Sequence, residues 1–300
     1  MTAAISDETR KGPPPERPRR ARELQDPLNY YLYHPLAWQL ALRLARTPLT
    51  PNMVSVVGAF CVIGAAIAYA QPWWPVSALL GLLLHMTWHV VDGADGDLAR
   101  ITGKTSPTGE MVDGLCDYLS HIVLYFVLLW LLLPQIGLMA WPIMTIAGIS
   151  HIVQSNHVEV QRRQYQWWVY GTPWLRNTHT EGSETAKGGL GGLVSFYLSL
   201  ASGMTPYALK IDAAVEKAMA HDPAALDHIR AAVRAEAPPL LFLCKLLGPN
   251  PRAIMLGLSM LAGSPLYYFI YQGVVLNILL AVSVVRHNQA AERIAARIGA

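Results

Sequence analysis

The chain has 300 residues, of which 53% are hydrophobic and only 14% charged, with a formal net charge of +3. An ordinary soluble domain carries about 25% charged residues, so this chain lacks the polar groups to cover a globule in water. A water-soluble enzyme, a disordered chain and a collagen-like chain are therefore excluded as first readings. Cys61, Cys116 and Cys244 are too few and too scattered for a disulfide framework or a CxxC metal pair, and read as apolar fillers. The basic residues flank apolar runs without forming an aromatic-interleaved stripe, which points away from nucleic acid and toward a membrane.

Residues 1–26, with PPPERPRRAR at their centre, are proline-rich and basic, show no signal-peptide apolar core, and are expected to form a disordered cytoplasmic tail. Leu28, Leu32, Leu36, Leu40 and Leu44 then recur every four residues. This predicts an amphipathic helix over 27–47 lying in the inner membrane interface, although the same spacing fits a core helix equally well. Aspartate, glutamate, lysine and arginine are absent from 47–91, 118–158 and 253–285.

A bilayer core about 30 Å thick takes about 20 helical residues. Each uncharged stretch is therefore expected to hold a pair of spans. The first pair is 53–70 and 76–91 around the turn from Gln71 to Pro75, and the second is 114–133 and 138–157 around residues 134–137. The third is 253–263 and 266–285 around Ser264 and Pro265, its helices borrowing length through snorkelling of Arg252 and Arg286. The expected fold is an all-α integral membrane domain over 27–300 with six transmembrane helices. Residues 159–252 form a helical cytoplasmic insertion between the fourth and fifth. Uncharged residues 188–209 read as an interfacial or bundle-packed helix, because a seventh crossing would carry Arg286, Arg293 and Arg297 to the outer side. The three turns contain no lysine or arginine, whereas the opposite ends carry Arg43, Arg46, Arg100, Lys104, Arg162, Arg163 and Lys245. Both termini are thus expected in the cytoplasm, beneath what reads as a bacterial inner membrane.

Between the second and third spans stands DGADGDLARITGKTSPTGEMVDGLCD, from Asp92 to Asp117. Carboxylates at the ends of apolar helices are costly unless paired or bound to metal. At about 100° per residue, Asp92, Asp95, Gly96, Ala99 and Arg100 fall within about 140° of one helical face, and Gly109, Asp113 and Asp117 climb one face of the next helix. Two helices joined by a short loop thus gather four carboxylates, while Gly96, Ala99 and Gly109 leave room for a ligand. Such a group repels itself unless a cation neutralises it, and hard oxygen ligands favour magnesium or manganese. Two ions sharing Asp92 and Asp113 suit displacement at phosphorus.

The cluster fits, without a gap, D-x2-D-G-x2-A-R-x8-G-x3-D-x3-D, and on that pattern the chain resembles the CDP-alcohol phosphotransferase family, class I. The resemblance implies a six-helix membrane enzyme, usually homodimeric, with its site open to the cytoplasm. It implies that Asp92, Asp95 and Asp113 bind one ion and Asp92, Asp113 and Asp117 a second, that Asp117 is also the general base, and that Gly96, Arg100 and Ser106 contact the CDP moiety. Ala99 and Gly109 line the same donor site. LTPN at 49–52 with Ser55 is similar to a second family segment and adds Asn52 and Ser55 to the nucleotide contacts. The resemblance covers about 27–158 well and the last two spans by architecture only.

The reaction implied moves a phosphatidyl group from a CDP-linked donor, CDP-diacylglycerol first, to the hydroxyl of a small polyol or polyol phosphate, releasing CMP in phospholipid biosynthesis. The reverse arrangement, a CDP-amino-alcohol donor with a lipid hydroxyl acceptor, is the alternative. A divalent-cation carrier is a more remote one, disfavoured because these carboxylates lie at one surface and not at the midplane. Arg162, Arg163 and Arg252 are candidates to grip an acceptor phosphate, or else membrane anchors. Asp97, about 200° from Asp95, reads as solvated. Glu110 reads more weakly as a site residue, and His85, His89 and His121 as histidines of a polar bundle.

Overall fold

The computed structural model describes residue 17 and residues 21–173 and 203–299. The proline-rich tail, apart from a few of its last residues, and residues 188–202 of the uncharged segment lie outside them. Every regular element among the described residues is helical. The chain falls into two compact units, one ending at Leu128 and the other beginning at Leu129.

In the first unit, a π turn over Asn29–Tyr33 leads into α1, His34–Leu44, followed by α2, Pro51–Tyr69, and α3, Val76–Thr102. The helix expected at 27–47 is present, but its leucine stripe is divided: Leu32 and Leu36 are exposed and Leu40 and Leu44 pack partly buried against the core, while Ala37, Trp38 and Ala41 are the buried residues. Small residues set this choice, because Ala37 and Ala41 let α1 lie close against α3, in a core shared with Val54, Val91, Ala94 and Leu98. A Cβ placed on Gly93 would stand 3.1 Å from that of Ala37. α2 and α3 pack along their length, and Gly81 makes room for the Tyr69 ring, which a Cβ there would meet at 2.5 Å.

α3 does not stop where the apolar run stops. It continues for 27 residues, about 40 Å, through the whole DGADGDLAR segment and ends at Gly103, whose φ of 64° supplies the left-handed cap. α4, Pro107–Ile136, begins after a short loop and runs across the unit boundary. In the second unit Gly137–Met139 makes a 3-10 turn before α5, Ala140–Tyr170. The insertion is helical where described, as α6, Ala208–His221, α7, Pro223–Ala235, and α8, Ala237–Leu246. It is followed by α9, Pro249–Leu261, and by α10, Leu266–Ile270, which passes through a π turn at Tyr271–Val275 into α11, Leu276–Ile298.

Four helical runs among the described residues are long and apolar enough to cross a membrane: Pro51–Tyr69, Val76–Thr102, Thr108–Tyr170 and Leu266–Ile298. The third contains both α4 and α5. The expected fifth span is a separate case, since the 13 residues of α9 reach only about 20 Å. Numerous large apolar side chains stay exposed on the long helices, among them Phe60, Leu83, Phe126, Ile149 and Ile278, as suits lipid-facing surfaces. The chain is an integral membrane protein.

The second unit is held by polar side chains as well as apolar ones. Ser150, Gln154, His157, Gln161 and Gln164 fall on one face of α5 and are buried or nearly so. Gln154 donates to Asn277 Oδ1 at 2.7 Å and to the Gln272 carbonyl at 3.0 Å, Asn277 donates to Ser150 at 2.8 Å, and His157 Nε2 meets Ser283 Oγ at 3.0 Å. Where both sides are apolar, such hydrogen bonds fix which helix faces which.

Candidate active site

The local sequence explains how the site is placed. Thr50 caps α2 by accepting from the Met53 N–H, with Pro51 at the first helical position, and this sets Asn52 in the first turn. Ser106 and Pro107 repeat that start at α4, where Ser106 Oγ accepts from the Gly109 N–H at 3.0 Å. Between the two starts lies the cytoplasmic end expected for α3. One pocket is lined by Pro51, Asn52, Ser55, Asp95, Gly96, Ala99, Arg100, Lys104, Thr105, Ser106, Gly109, Glu110 and Asp113.

All seven residues expected to contact the CDP donor therefore share a single cavity. A Cβ on Gly109 would stand 3.2 Å from Ser106 Oγ, a tight contact, and 3.6 Å from Asn52 Oδ1, an ordinary one. At Gly96 a Cβ would fall 3.6 Å from the Arg100 guanidinium. The pocket combines two helix N-termini, Arg100 and Lys104 with Asp95, Asp113 and Glu110, so it can take phosphate oxygens and cations side by side.

Asp92, Asp113 and Asp117 each offer one carboxylate oxygen within 4.8 Å of the others, an arrangement that can hold a divalent ion. Asp113 belongs to both the triad and the pocket. Three half-buried carboxylates so close, with oxygen donors only, fit a hard cation. Asp95, expected as a further ligand, lies outside that trio. Its Oδ2 instead accepts from Ser55 Oγ at 2.5 Å, so Ser55 orients a carboxylate as well as lining the nucleotide pocket.

Two sequence expectations need correction. Asp97 is not solvated but 2% exposed, and its carboxylate is paired with Arg100. Arg252 is not a snorkelling anchor: it is 5% exposed, donating to Ser155 Oγ at 2.7 Å and Gln154 Oε1 at 3.3 Å. Arg162 and Arg163 are joined to Glu159 at 2.8 and 2.6 Å, a partner that their sequence reading left out although it lies three and four residues away. These arginines belong to the second unit, and the aspartates to the first. Sequence reasoning also passed over Trp88, whose Nε1–H donates to Asp117 Oδ1 at 3.0 Å, and Thr105, which lines the pocket. An indole seven residues past Gly81 on an apolar helix gives no signal of its own. His85 and His89 are buried beside Trp88, and His121 is anchored through Nδ1 to the Asp117 carbonyl at 2.8 Å.

Fold and site together define a membrane protein, helical throughout its described elements, whose carboxylate cluster adjoins a pocket that carries Arg100 and Lys104. Over residues 48–175 the chain matches the family described as CDP-alcohol phosphatidyltransferase. It is similar to a Dictyostelium discoideum protein described as an uncharacterized CDP-alcohol phosphatidyltransferase class-I family protein 2, 33% identical over 101 residues, 31% of this chain and 24% of that one. It is likewise similar to human ethanolaminephosphotransferase 1, 30% identical over 115 residues, 34% of this chain and 28% of that one. With archaetidylinositol phosphate synthase of Aeropyrum pernix it is 32% identical over 94 residues, 30% of this chain and 46% of that one. The chain thus spans between a quarter and a half of the length of these curated relatives.

Proposed function

We propose that the protein transfers a phosphatidyl group from CDP-diacylglycerol to the hydroxyl of a small polyol or polyol phosphate, releasing CMP. The observation that carries this reading is the single pocket in which Asn52, Ser55, Gly96, Arg100 and Ser106 meet Asp95 and Asp113, beside the Asp92, Asp113 and Asp117 triad. Membrane placement supports it too, since a donor with two acyl chains stays in the bilayer while its nucleotide reaches the helix ends. Six spans, cytoplasmic termini and a homodimer belong to the same reading.

Asp92, Asp113 and Asp117 are the residues that would hold a divalent ion, with Asp95 beside them for a second. Bound there, magnesium or manganese would neutralise charge on the pyrophosphate and on the departing CMP. The helix starts at Pro51 and Pro107, with Arg100 and Lys104, hold the diphosphate by N–H groups and fixed positive charge. Gly96 and Gly109 leave the backbone bare where the nucleotide lies. Asp117 takes the acceptor's hydroxyl proton as its oxygen attacks the β-phosphorus, the bond from that phosphorus to the CMP oxygen breaks, and CMP leaves. No covalent intermediate on the protein is required.

The similarity to an ethanolaminephosphotransferase favours a second reading, with a CDP-amino-alcohol as donor and a lipid hydroxyl as acceptor. Purified protein in liposomes with magnesium separates the two. Supplied with CDP-diacylglycerol and a polyol pool, it should release CMP and form a new phospholipid detected by mass spectrometry. Turnover only with CDP-ethanolamine or CDP-choline and diacylglycerol would establish the second reading. No CMP release from any of these donors would overturn both.

A further inference from the structure

Asp117 has two carboxylate oxygens, and the fold treats them differently. Trp88 lies on α3 and donates its indole N–H to Oδ1 at 3.0 Å. The indole is itself wedged: its ring centroid stands 4.5 Å from that of His89 and 4.7 Å from that of His121, the latter nearly edge-on at 69°. His121 is tied back to the Asp117 carbonyl, and Trp88 is 7% exposed. Across the helix pair, Gly58 faces the same ring, where a Cβ would stand at an ordinary contact distance of 3.5 Å. The N–H donor is thus aimed at one oxygen by packing from three elements, α2, α3 and α4.

We propose that Trp88 is a positioning residue for the reaction, holding Asp117 Oδ1 so that Oδ2 is the oxygen turned to the metal and to the acceptor hydroxyl. This rests on the proposed function. Without the indole donor the carboxylate rotates between rotamers, and either oxygen faces the triad. Groups that orient a metal ligand in this way typically change metal affinity or activity by about 10–100-fold when removed. A residue serving only to fill space would move stability and leave these constants alone.

The test is Trp88→Phe, which keeps an aromatic ring between His89 and His121 and removes the N–H. In this variant kcat should fall about tenfold or more with the KM for the CDP donor within about twofold, and the Mn2+ dissociation constant by calorimetry should rise about tenfold. Mn2+ should also change the tryptophan emission of the wild-type protein and of Trp74→Phe, but much less that of Trp88→Phe. If the variant is poorly folded, the isosteric benzothienylalanine at position 88, with sulfur in place of N–H, gives the same comparison. A folded variant with kcat and Mn2+ affinity both within twofold of wild type overturns the proposal. Should wild-type protein release no CMP from any donor, the assigned reaction falls, and the Mn2+ affinities still decide the role of Trp88.

Discussion

Asp97 and Asp117 differ by the surface each meets. The helical wheel correctly separates Asp97 from Asp95, but it assumes water on the far side, and α1 covers that side of α3 where Gly93 approaches Ala37. A carboxylate buried there needs a cation, and Arg100, three residues on, supplies it. Replacing Asp97 by asparagine should therefore lower thermal stability, with a cost of about 1–3 kcal/mol for a lost charge-assisted hydrogen bond. It should also raise the KM of the CDP donor severalfold, because Arg100 is released from its place beside Gly96. Unchanged stability and KM would show that the pair does nothing for Arg100. At Asp117 the expectation is on turnover: Asp117→Asn should lower kcat by about 10²–10⁴, the usual contribution of a general base. Stopped assays of CMP release, with donor binding measured separately, check this. The aspartate spacing made Asp117 legible in the sequence but not the burial of Asp97; Ser55 was expected as a nucleotide contact, and its bond to Asp95, like the role of Trp88, emerged only once neighbouring helices brought each to a carboxylate.

At the scale of elements, charge marked the apolar stretches well and helix ends less well. Nothing in 92–102 breaks a helix, so α3 carries the acidic segment one-piece to Gly103, beyond a bilayer core about 30 Å thick. This stiffness fixes Asp92, Asp95 and Arg100 on one rod. The buried polar face of α5 was available as spacing, with Ser150, Gln154, His157, Gln161 and Gln164 three or four residues apart, yet its partners Gln272, Asn277 and Ser283 lie more than a hundred residues away. The insertion makes a similar long-range link. Glu236, at the start of α8, accepts from Arg293 at 2.8 Å and pairs with Arg297 at 3.4 Å. The Arg293 hydrogen bond holds the Glu236 carboxyl below its ordinary range. A folded-state value lower than the unfolded one gives stability that is present above the unfolded value, near 4.3, and lost as pH falls through the folded one. Glu236→Gln should thus lower the melting temperature at pH 7 by a few degrees, and the difference from wild type should shrink toward zero as the pH is taken below about 4. A difference independent of pH would mean that packing, not charge, is lost.

For the whole molecule, topology decides whether the pocket faces the side where CDP donors are made. The turn from Gln71 to Pro75 carries exposed Trp73 and Trp74 and no charge, while the loop from Gly103 to Ser106 carries Lys104 and opens on the pocket. A cysteine in the first should react with an impermeant thiol reagent in intact cells, and one at Thr105 only after permeabilisation; the reverse pattern would place the site outside. The most direct test of the central claim is CMP release from CDP-diacylglycerol as free magnesium is varied, by wild-type protein and by Asp113→Asn, the one carboxylate shared by triad and pocket. Release should be absent in chelator, rise saturably with magnesium in the wild type, and fall by at least about 10²-fold in the variant. Release that persists at full rate in chelator, or is unaffected by Asp113→Asn, would contradict that claim.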